Sequence, residues 1–275
     1  MIARILNGKE VASHILSRVK KEAEGSSLEL AVVNVGTHPA SVAYIERKKE
    51  IALSLGVSFK VYEFGEDIAQ QELESEVEKI GKNSATTGMI VQLPLPSAFN
   101  TEAVLNKIPE EKDVDVLSKT AFDKFEKGEL SILPPTVSAI AEMLLHYEIP
   151  VQGTTVVIVG RGRLVGLPAR IYFESAGAKV IVAHSQTEDL AKTIQQGDIV
   201  VSGVGKAGLI TGEMIKEGAV VIDAGTSVEG GVTTGDIDTE SVSEKASYIS
   251  PVPGGVGPVT VACLFSNLLL LSEEH

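Results

Sequence analysis

One stretch constrains the fold more than any other: Val156-Val-Ile-Val-Gly160-Arg-Gly162-Arg-Leu-Val-Gly166-Leu-Pro168. Four consecutive apolar residues suit a strand buried on both faces of a parallel sheet. The glycines that follow let backbone amides approach a phosphate group at a helix N-terminus, as in a dinucleotide-binding turn. The spacing is Gly-x-Gly-x-x-x-Gly, one residue longer than the commonest fingerprint, and a plain strand-to-helix turn with flexible glycines satisfies it as well.

The flanking sequence favours the dinucleotide reading. Ala169 to Ser175 suits a helix that Gly177 ends, and Lys179-Val-Ile-Val-Ala183 is a second β-rich run, giving a βαβ unit of ordinary length. An NAD-binding unit ends that second strand in Asp or Glu, which bonds the ribose 2′-hydroxyl. Here the strand ends in His184-Ser185-Gln186, and the next carboxylate is Glu188. Arg161 and Arg163 lie in the turn, so a 2′-phosphate would meet cations and a hydroxyl. NADP is favoured over NAD. A solvated loop is the alternative for the two arginines, and His184 reads as an ordinary strand-end residue.

Composition narrows the class. With 275 residues, 44% of them hydrophobic, the chain can form two domains of ordinary size. A formal net charge of -13 argues against a nucleic-acid footprint or an anionic membrane surface. The one cysteine, Cys263, permits no internal disulfide and fits a reducing, cytoplasmic setting. No Cys/His cluster has metal-ligand spacing, so no metal is expected. The apolar run at the N-terminus is short for a signal peptide. The stretch Val259 to Leu271 is interrupted by Thr260, Ser266 and Asn267, so it reads as a buried helix rather than a membrane span.

Taken in order, Val11, Ile15, Leu16 and Val19 recur at helical spacing before Gly25, and Leu28 to Val35 suits a buried strand. The segment from Pro39 to Gly56 predicts a helix whose inward face carries Tyr44, Lys48, Ile51 and Leu55. A lysine on an apolar stripe is informative, because partial burial lowers its pKa toward values useful for proton transfer. Spacing alone leaves that role and a lysine snorkelling to solvent equally open. Val57 to Phe64 reads as a strand, Ile68 to Lys82 as a polar helix, and Thr87 to Gln92 as a strand that puts Gln92 at its carboxyl end, where ligands of open α/β sheets bind. Along Glu111-Lys-Asp113-Val-Asp115 an extended backbone would point both aspartates to one side, although a solvated acidic loop is the usual explanation for such a pair.

Pro134-Pro-Thr136 breaks the pattern and marks a domain boundary. Val137, Ile140, Ala141, Leu144 and Leu145 then form a helical face. Asp198 to Ser202 and Ala219 to Asp223 suit strands, with a helix near Glu213 to Glu217 between them, and Gly230 to Asp238 is loop-like. Pro251-Val-Pro-Gly-Gly-Val-Gly-Pro258 holds three prolines and three glycines in eight residues, too many for a regular element. A rigid linker, or a loop that brings backbone close to a flat ligand, would suit it.

Several separated motifs together resemble one family. Ser41-x-x-Tyr44-x-x-x-Lys48, Val91-Gln-Leu-Pro-Leu-Pro96, Lys112-Asp-Val-Asp115, Gly160-Arg161 with Val165-Gly-x-Pro168, His184-Ser185, Gly218 to Asp223, Gly235-Asp236 and Pro251 to Thr260 are similar, in order over nearly the whole chain, to bifunctional methylenetetrahydrofolate dehydrogenase/methenyltetrahydrofolate cyclohydrolase. The resemblance implies an α/β protein of two domains: an N-terminal folate-binding domain, residues 1–136 completed by a helix over 259–275, and a Rossmann-type NADP-binding domain over 137–258. It implies an active site in a cleft between them, a homodimer, and two activities. These are oxidation of 5,10-methylenetetrahydrofolate with NADP and hydrolysis of the methenyl product to 10-formyltetrahydrofolate.

Carried over by position, the resemblance makes Lys48, Gln92, Tyr44 and Asp115 the catalytic set. Lys48 would be the acid/base paired with Gln92, Tyr44 would stack on the folate, and Asp115 would accept hydrogen bonds from the pterin ring. Pro253, Gly254 and Gly255 would line the substrate. Gly160, Arg161, Gly162, Arg163, Gly166, Ser185 and Thr226 would bind the coenzyme, with Arg161 and Ser185 on the 2′-phosphate. The chain departs from the family's usual pattern in three places. Gly162 stands where a serine is usual, Val116 where a glycine is usual, and Pro134-Pro-Thr136-Val-Ser-Ala139 replaces a Pro-Cys-Thr-Pro-x-Gly segment. Two other functions compete. One is a monofunctional NAD-linked dehydrogenase, against which the retained Lys48 and Gln92 and the missing strand-end carboxylate speak. The other is a folate- or nucleotide-binding protein without catalysis.

Overall fold

The structure, a computed structural model, describes residues 2–229 and 232–273. It begins with β1 (Arg4–Ile5) and α1 (Gly8–Glu22), then alternates through β2 (Glu29–Val35), α2 (Pro39–Leu55), β3 (Ser58–Phe64), α3 (Gln70–Lys82) and β4 (Gly88–Val91). Two short helices, α4 (Thr101–Leu105) and α5 (Lys119–Lys127), precede α6 (Pro135–His146). A second alternation runs β5 (Thr155–Val159), α7 (Gly166–Ser175), β6 (Lys179–Ala183), α8 (Leu190–Ile194), β7 (Ile199–Ser202) and β8 (Val220–Asp223). The chain finishes with β9 (Ser227–Glu229), β10 (Val232–Thr234), α9 (Thr239–Ser243), β11 (Tyr248–Ile249) and α10 (Val256–Glu273).

Two compact units share the chain: one takes residues up to His14 together with Thr136–Ala262, the other takes Ile15–Pro135 together with Cys263 onward. In the second of these, β2 lies between β3 and β4 in a three-stranded parallel sheet. Leu30 to Val33 are fully buried. A central parallel strand covered on both faces is apolar without alternation, which is why that run carries no period-2 signal. Leu73, Val77 and Ile80 of α3 close one face against Ala31, Val33 and Val35. Each such side chain contributes roughly 1.5–3 kcal/mol by leaving water.

Helix α2 starts with Pro39 in its first turn and stops at Gly56, which caps it in the left-handed region at φ 75°. Its buried stripe is Ser41, Ile45, Lys48, Ala52 and Leu55. The sequence placed Tyr44 and Ile51 on that face. Tyr44 is instead 38% exposed and Ile51 half-buried, because the stripe runs through the residues next to them.

In the other unit, six parallel strands are ordered β1-β11-β8-β7-β5-β6. Leaving β1 aside, the order is that of a doubly wound sheet in which the direction of strand addition reverses between β5 and β7, and ligands of such sheets bind at that reversal. The glycine turn follows β5 directly. β6 matches its expected bounds, whereas α7 begins three residues earlier than expected, at Gly166.

Several expectations are corrected here. The segment at 213–217 is not a helix: only a 3₁₀ turn, Gly212–Met214, forms. Of the expected loop 230–238, residues 230 and 231 lie outside the described residues, and 232–234 pair with β9 as an antiparallel strand. Leu145 points outward, 73% exposed, because Met143 and Leu144 complete the buried face of α6. The first residues, placed by sequence with the folate-binding half, belong to the six-stranded sheet: β1 pairs with β11, and the Arg4 guanidinium lies 5.3 Å from the Tyr147 ring and 5.8 Å from that of Tyr248. The last helix begins at Val256, inside the expected loop, and its expected end at 274–275 lies outside the described residues. α10 is also the one helix among the described residues long and apolar enough to cross a membrane, and most of it is buried in the fold.

Candidate active site

Lys48 projects from α2 and is only 4% exposed. Its Nζ donates to Gln92 Oε1 at 3.0 Å, and Gln92 in turn donates through Nε2 to the Leu93 carbonyl at 2.8 Å. The amide is thereby oriented with its oxygen toward the lysine. Gln92 is held by its own backbone as well, its N–H donating to Val33 O at 2.8 Å as β4 ends. The Lys48 ammonium also sits 4.8 Å from the centroid of the Tyr44 ring, one helical turn back. Lys48 is therefore buried and does not snorkel to solvent.

Burial sets the electrostatics of this cluster. It pulls the Lys48 pKa down, opposed by the charge of Asp115. It pushes the Asp115 carboxyl up to about 6, with Lys48 opposing and Asp113 adding to the rise. The Tyr44 phenol is pushed up to about 12, first by its surroundings and then by Asp115, so it stays neutral. An amine and a carboxyl whose pKa values are pulled toward each other are suited to exchanging protons with a substrate. One turn before Ile45 on the same stripe, the Ser41 hydroxyl is buried and finds no partner among the described residues, which leaves it available to a ligand.

The segment that carries the two aspartates is a turn, not the extended stretch expected from the sequence. A 3₁₀ turn, Glu110–Lys112, leads into a tight turn in which Asp113 is fully buried and Asp115 half-buried. Asp113 Oδ2 accepts from the amides of Leu117 at 3.0 Å and Ser118 at 2.6 Å. Val116 takes φ 56°, a left-handed conformation that is an outlier for a β-branched residue. This accounts for the glycine usual at that position in the family the sequence resembles.

The coenzyme turn is built differently. Gly160 has φ 113°, and a Cβ on Gly166 would fall 2.2 Å from Gly160 O, so these two glycines let the N-terminus of α7 close onto the turn. A Cβ on Gly162 would meet nothing within 4 Å, so that glycine answers no steric need. Gly160 N donates to Ala183 O at 2.8 Å, which sets Gly160-Arg161 and His184-Ser185 on neighbouring strand ends. Arg161 and Ser185 are exposed and Arg163 is half-buried. His184 is tied into its own loop: its N–H donates to Thr187 Oγ1 at 2.9 Å and its Nδ1 accepts from Gln186 N at 3.2 Å. A helix start without a side-chain cap, a nearby guanidinium and a hydroxyl fit the phosphates of a dinucleotide carrying a 2′-phosphate.

Thr226 is exposed on the loop after β8. Two buried carboxylates that the sequence showed only as motif members knot the loops beside it. Asp236 accepts from Ser202 Oγ, Val204 N and Lys206 N, each at 2.7 Å, and Asp223 accepts from Gly225 N and Ile237 N at 3.0 Å and from Asp236 N at 3.2 Å. Pro253 is exposed, Gly254 has φ 105°, and Gly255 is packed on Ser250 and Pro251. Gly8, which sequence reasoning did not single out, makes that packing possible: its Cβ would fall 1.7 Å from Gly255 O, and its N–H donates to Gly254 O at 2.9 Å. Nothing within eight residues of Gly8 signals that approach.

The family model for the tetrahydrofolate dehydrogenase/cyclohydrolase catalytic domain matches residues 6–115, and that for the NAD(P)-binding domain of the same enzymes matches 134–275. A bifunctional protein FolD from Bacillus licheniformis is 40% identical, with 97% of this chain and 96% of that protein aligned. One from Lactobacillus helveticus is 37% identical, with 100% and 99% aligned. Among solved structures, the bifunctional FolD methylenetetrahydrofolate dehydrogenase/cyclohydrolase of Campylobacter jejuni superposes with a TM-score of 0.95 at 35% identity, covering 99% of each chain. The Trypanosoma brucei enzyme, complexed with NADP cofactor and inhibitor, superposes with a TM-score of 0.94 at 34% identity, covering 100% of this chain and 98% of its own. With both of its halves matched and likeness running end to end, the chain belongs to the tetrahydrofolate dehydrogenase/cyclohydrolase family.

Proposed function

We infer that this protein oxidises 5,10-methylenetetrahydrofolate to the 5,10-methenyl compound with NADP and hydrolyses that product to 10-formyltetrahydrofolate, a conversion of one-carbon folate metabolism. The observation that carries the reading is the buried Lys48–Gln92 pair electrostatically coupled to Asp115, in a chain matched throughout by bifunctional relatives.

When bound, NADP supplies the hydride acceptor of the first step. That step needs no side-chain acid, so the protein's part is positioning. The backbone at Gly160, Gly162 and Gly166 would hold the pyrophosphate, Arg161 and Ser185 the 2′-phosphate, and Arg163 and Thr226 would complete the coenzyme contacts. Asp115 would accept hydrogen bonds from the pterin ring, Tyr44 would lie against the folate, and Pro253, Gly254 and Gly255 would line it. In the hydrolysis, Lys48 takes a proton from the water that attacks the methenyl carbon. It returns that proton to the ring nitrogen that leaves as the carbon–nitrogen bond breaks, while the new hydroxyl loses its proton to solvent to give the formyl group. Gln92 supports this by keeping the amine oriented without adding a charge. A homodimer and a cytoplasmic location belong to the same reading and rest on the resemblance.

The test is the initial rate with methylenetetrahydrofolate and either NADP or NAD, followed in the same cuvette by decay of the methenyl absorbance. Fast NADP reduction with little accumulated methenyl compound is expected. Preference for NAD with a persistent methenyl product would instead establish a monofunctional NAD-linked dehydrogenase.

A further inference from the structure

α10 is an apolar helix of mean hydropathy 1.5 with a polar side chain at its centre: Asn267, 3% exposed, sits beside fully buried Phe265 and Leu268. A helix that only had to pack would carry leucine there, since a buried amide costs free energy unless its hydrogen bonds are made. Asn267 makes them to main chain. Its Nδ2 donates to Val114 O at 2.9 Å and to Leu133 O at 2.8 Å. The Val114 carbonyl belongs to the peptide group that joins Val114 to Asp115, so the amide fixes the plane from which Asp115 projects. On the far side of the turn, Asp113 holds the amides of Leu117 and Ser118. Between these two grips the chain passes through Val116 at φ 56°, a conformation a free turn of this sequence would leave. Gly88 of β4 makes room for the arrangement: a Cβ there would fall 2.5 Å from Val114 Cγ1 and 2.6 Å from Leu268 Cδ1.

We propose that Asn267 is a positioning residue for the folate, holding the 113–118 turn in the strained form that presents Asp115 to the pterin. The proposal rests on the reading of Asp115 as the pterin acceptor. Without the amide the turn relaxes at Val116 and the carboxyl swings away from its bound position.

The experiment is a double-mutant cycle read by calorimetric affinity for the folate in the absence of coenzyme, with NADP affinity measured alongside. Asn267→Ala is expected to weaken folate binding about tenfold, the scale of one misaligned hydrogen bond to a charged group, and to leave NADP affinity unchanged. In an Asp115→Asn background, the same change should weaken folate binding less than twofold further, because the group it positions is already altered. A tenfold loss in both backgrounds, a parallel loss of NADP affinity, or no loss at all would each overturn the proposal. If Asp115→Asn weakens folate binding and Asn267→Ala does not, only the positioning role fails. If Asp115→Asn has no effect, the reading of Asp115 fails and takes the proposal with it. Should Asn267→Ala not fold, Asn267→Ser, which keeps one donor, is judged by the same criteria.

Discussion

The Lys48 cluster and the glycine turn solve opposite problems with opposite materials. Around Lys48, burial itself is the tool: an amine and a carboxyl are taken out of water until their pKa values move toward each other, and an amide locks the geometry. At the turn, the contacts are backbone shaped by Gly160 and Gly166, while the charge and hydroxyl assigned to the 2′-phosphate stay exposed on Arg161 and Ser185. The first site changes what its side chains are; the second changes only where they are. Substitutions at the first should therefore act on rate and its pH dependence, and substitutions at the second on coenzyme affinity and choice.

The sharpest way to break that contrast is Lys48→Met, which keeps the volume and removes the amine. Hydrolysis of the methenyl compound should fall about 10²–10⁴-fold, the usual contribution of a positioned acid/base, with NADP affinity unchanged. Near-normal hydrolysis would remove Lys48 from the chemistry. Next in size is Arg161→Ala: the loss of a charge-assisted contact, about 1.5–3 kcal/mol, should weaken NADP by roughly 10–150-fold and leave NAD untouched. Equal effects on the two coenzymes would mean that Arg161 does not read the 2′-phosphate.

The pH dependence separates the regions more finely. Ionised Asp115 is an acceptor at both oxygens, and protonation removes its charge and turns one oxygen into a donor, so folate affinity should be full above pH 6 and fall by up to about tenfold per pH unit below it, while NADP affinity does not share that midpoint. For stability the sign is reversed. A carboxyl raised from 3.8 to about 6 in the fold favours the folded state fully below 3.8, and that contribution is lost as the pH rises through 6. Titration of folate binding by calorimetry in wild type and Asp115→Asn checks the assignment; a midpoint that survives the substitution would refute it. The smallest effect is expected from Gly162→Ser. Thermal melting should shift by no more than the equivalent of about 0.5 kcal/mol, since the added Cβ meets nothing. A larger loss would show that the turn needs that glycine as it needs Gly160 and Gly166.

Much of this was legible because the signals are local. Val156 to Val159 announces a strand buried on both faces, β6 ends where its apolar run ends, and a lysine at helical spacing with Leu55 marks the buried face of α2. The phase of that face was read one residue off at Tyr44, since a helix turns about 100° per residue and a neighbouring residue can mimic the stripe. What stayed hidden depends on partners distant in sequence. β1 and β11 are two-residue strands whose pairing joins Arg4 to Tyr248, Gly8 matters only because Gly255 lies against it, and Asn267 looked like an interruption of an apolar helix until its two carbonyls came into view. The bend at Val116 was masked for another reason: valine gives no hint of a left-handed turn, and the surrounding hydrogen bonds impose it.

The way the two units divide the chain also bears on how the protein is made. Each unit is built from two separated segments: residues up to His14 await Thr136–Ala262, and Ile15–Pro135 awaits Cys263 onward. A ribosome delivers the chain from its N-terminus, and ordinary multidomain proteins use that order to finish one domain before the next emerges. Here the segments interleave: the first turns of α10, up to Ala262, close the unit begun first, and the turns that carry Asn267 close the other. Neither unit can be released as a finished piece by cutting the chain once.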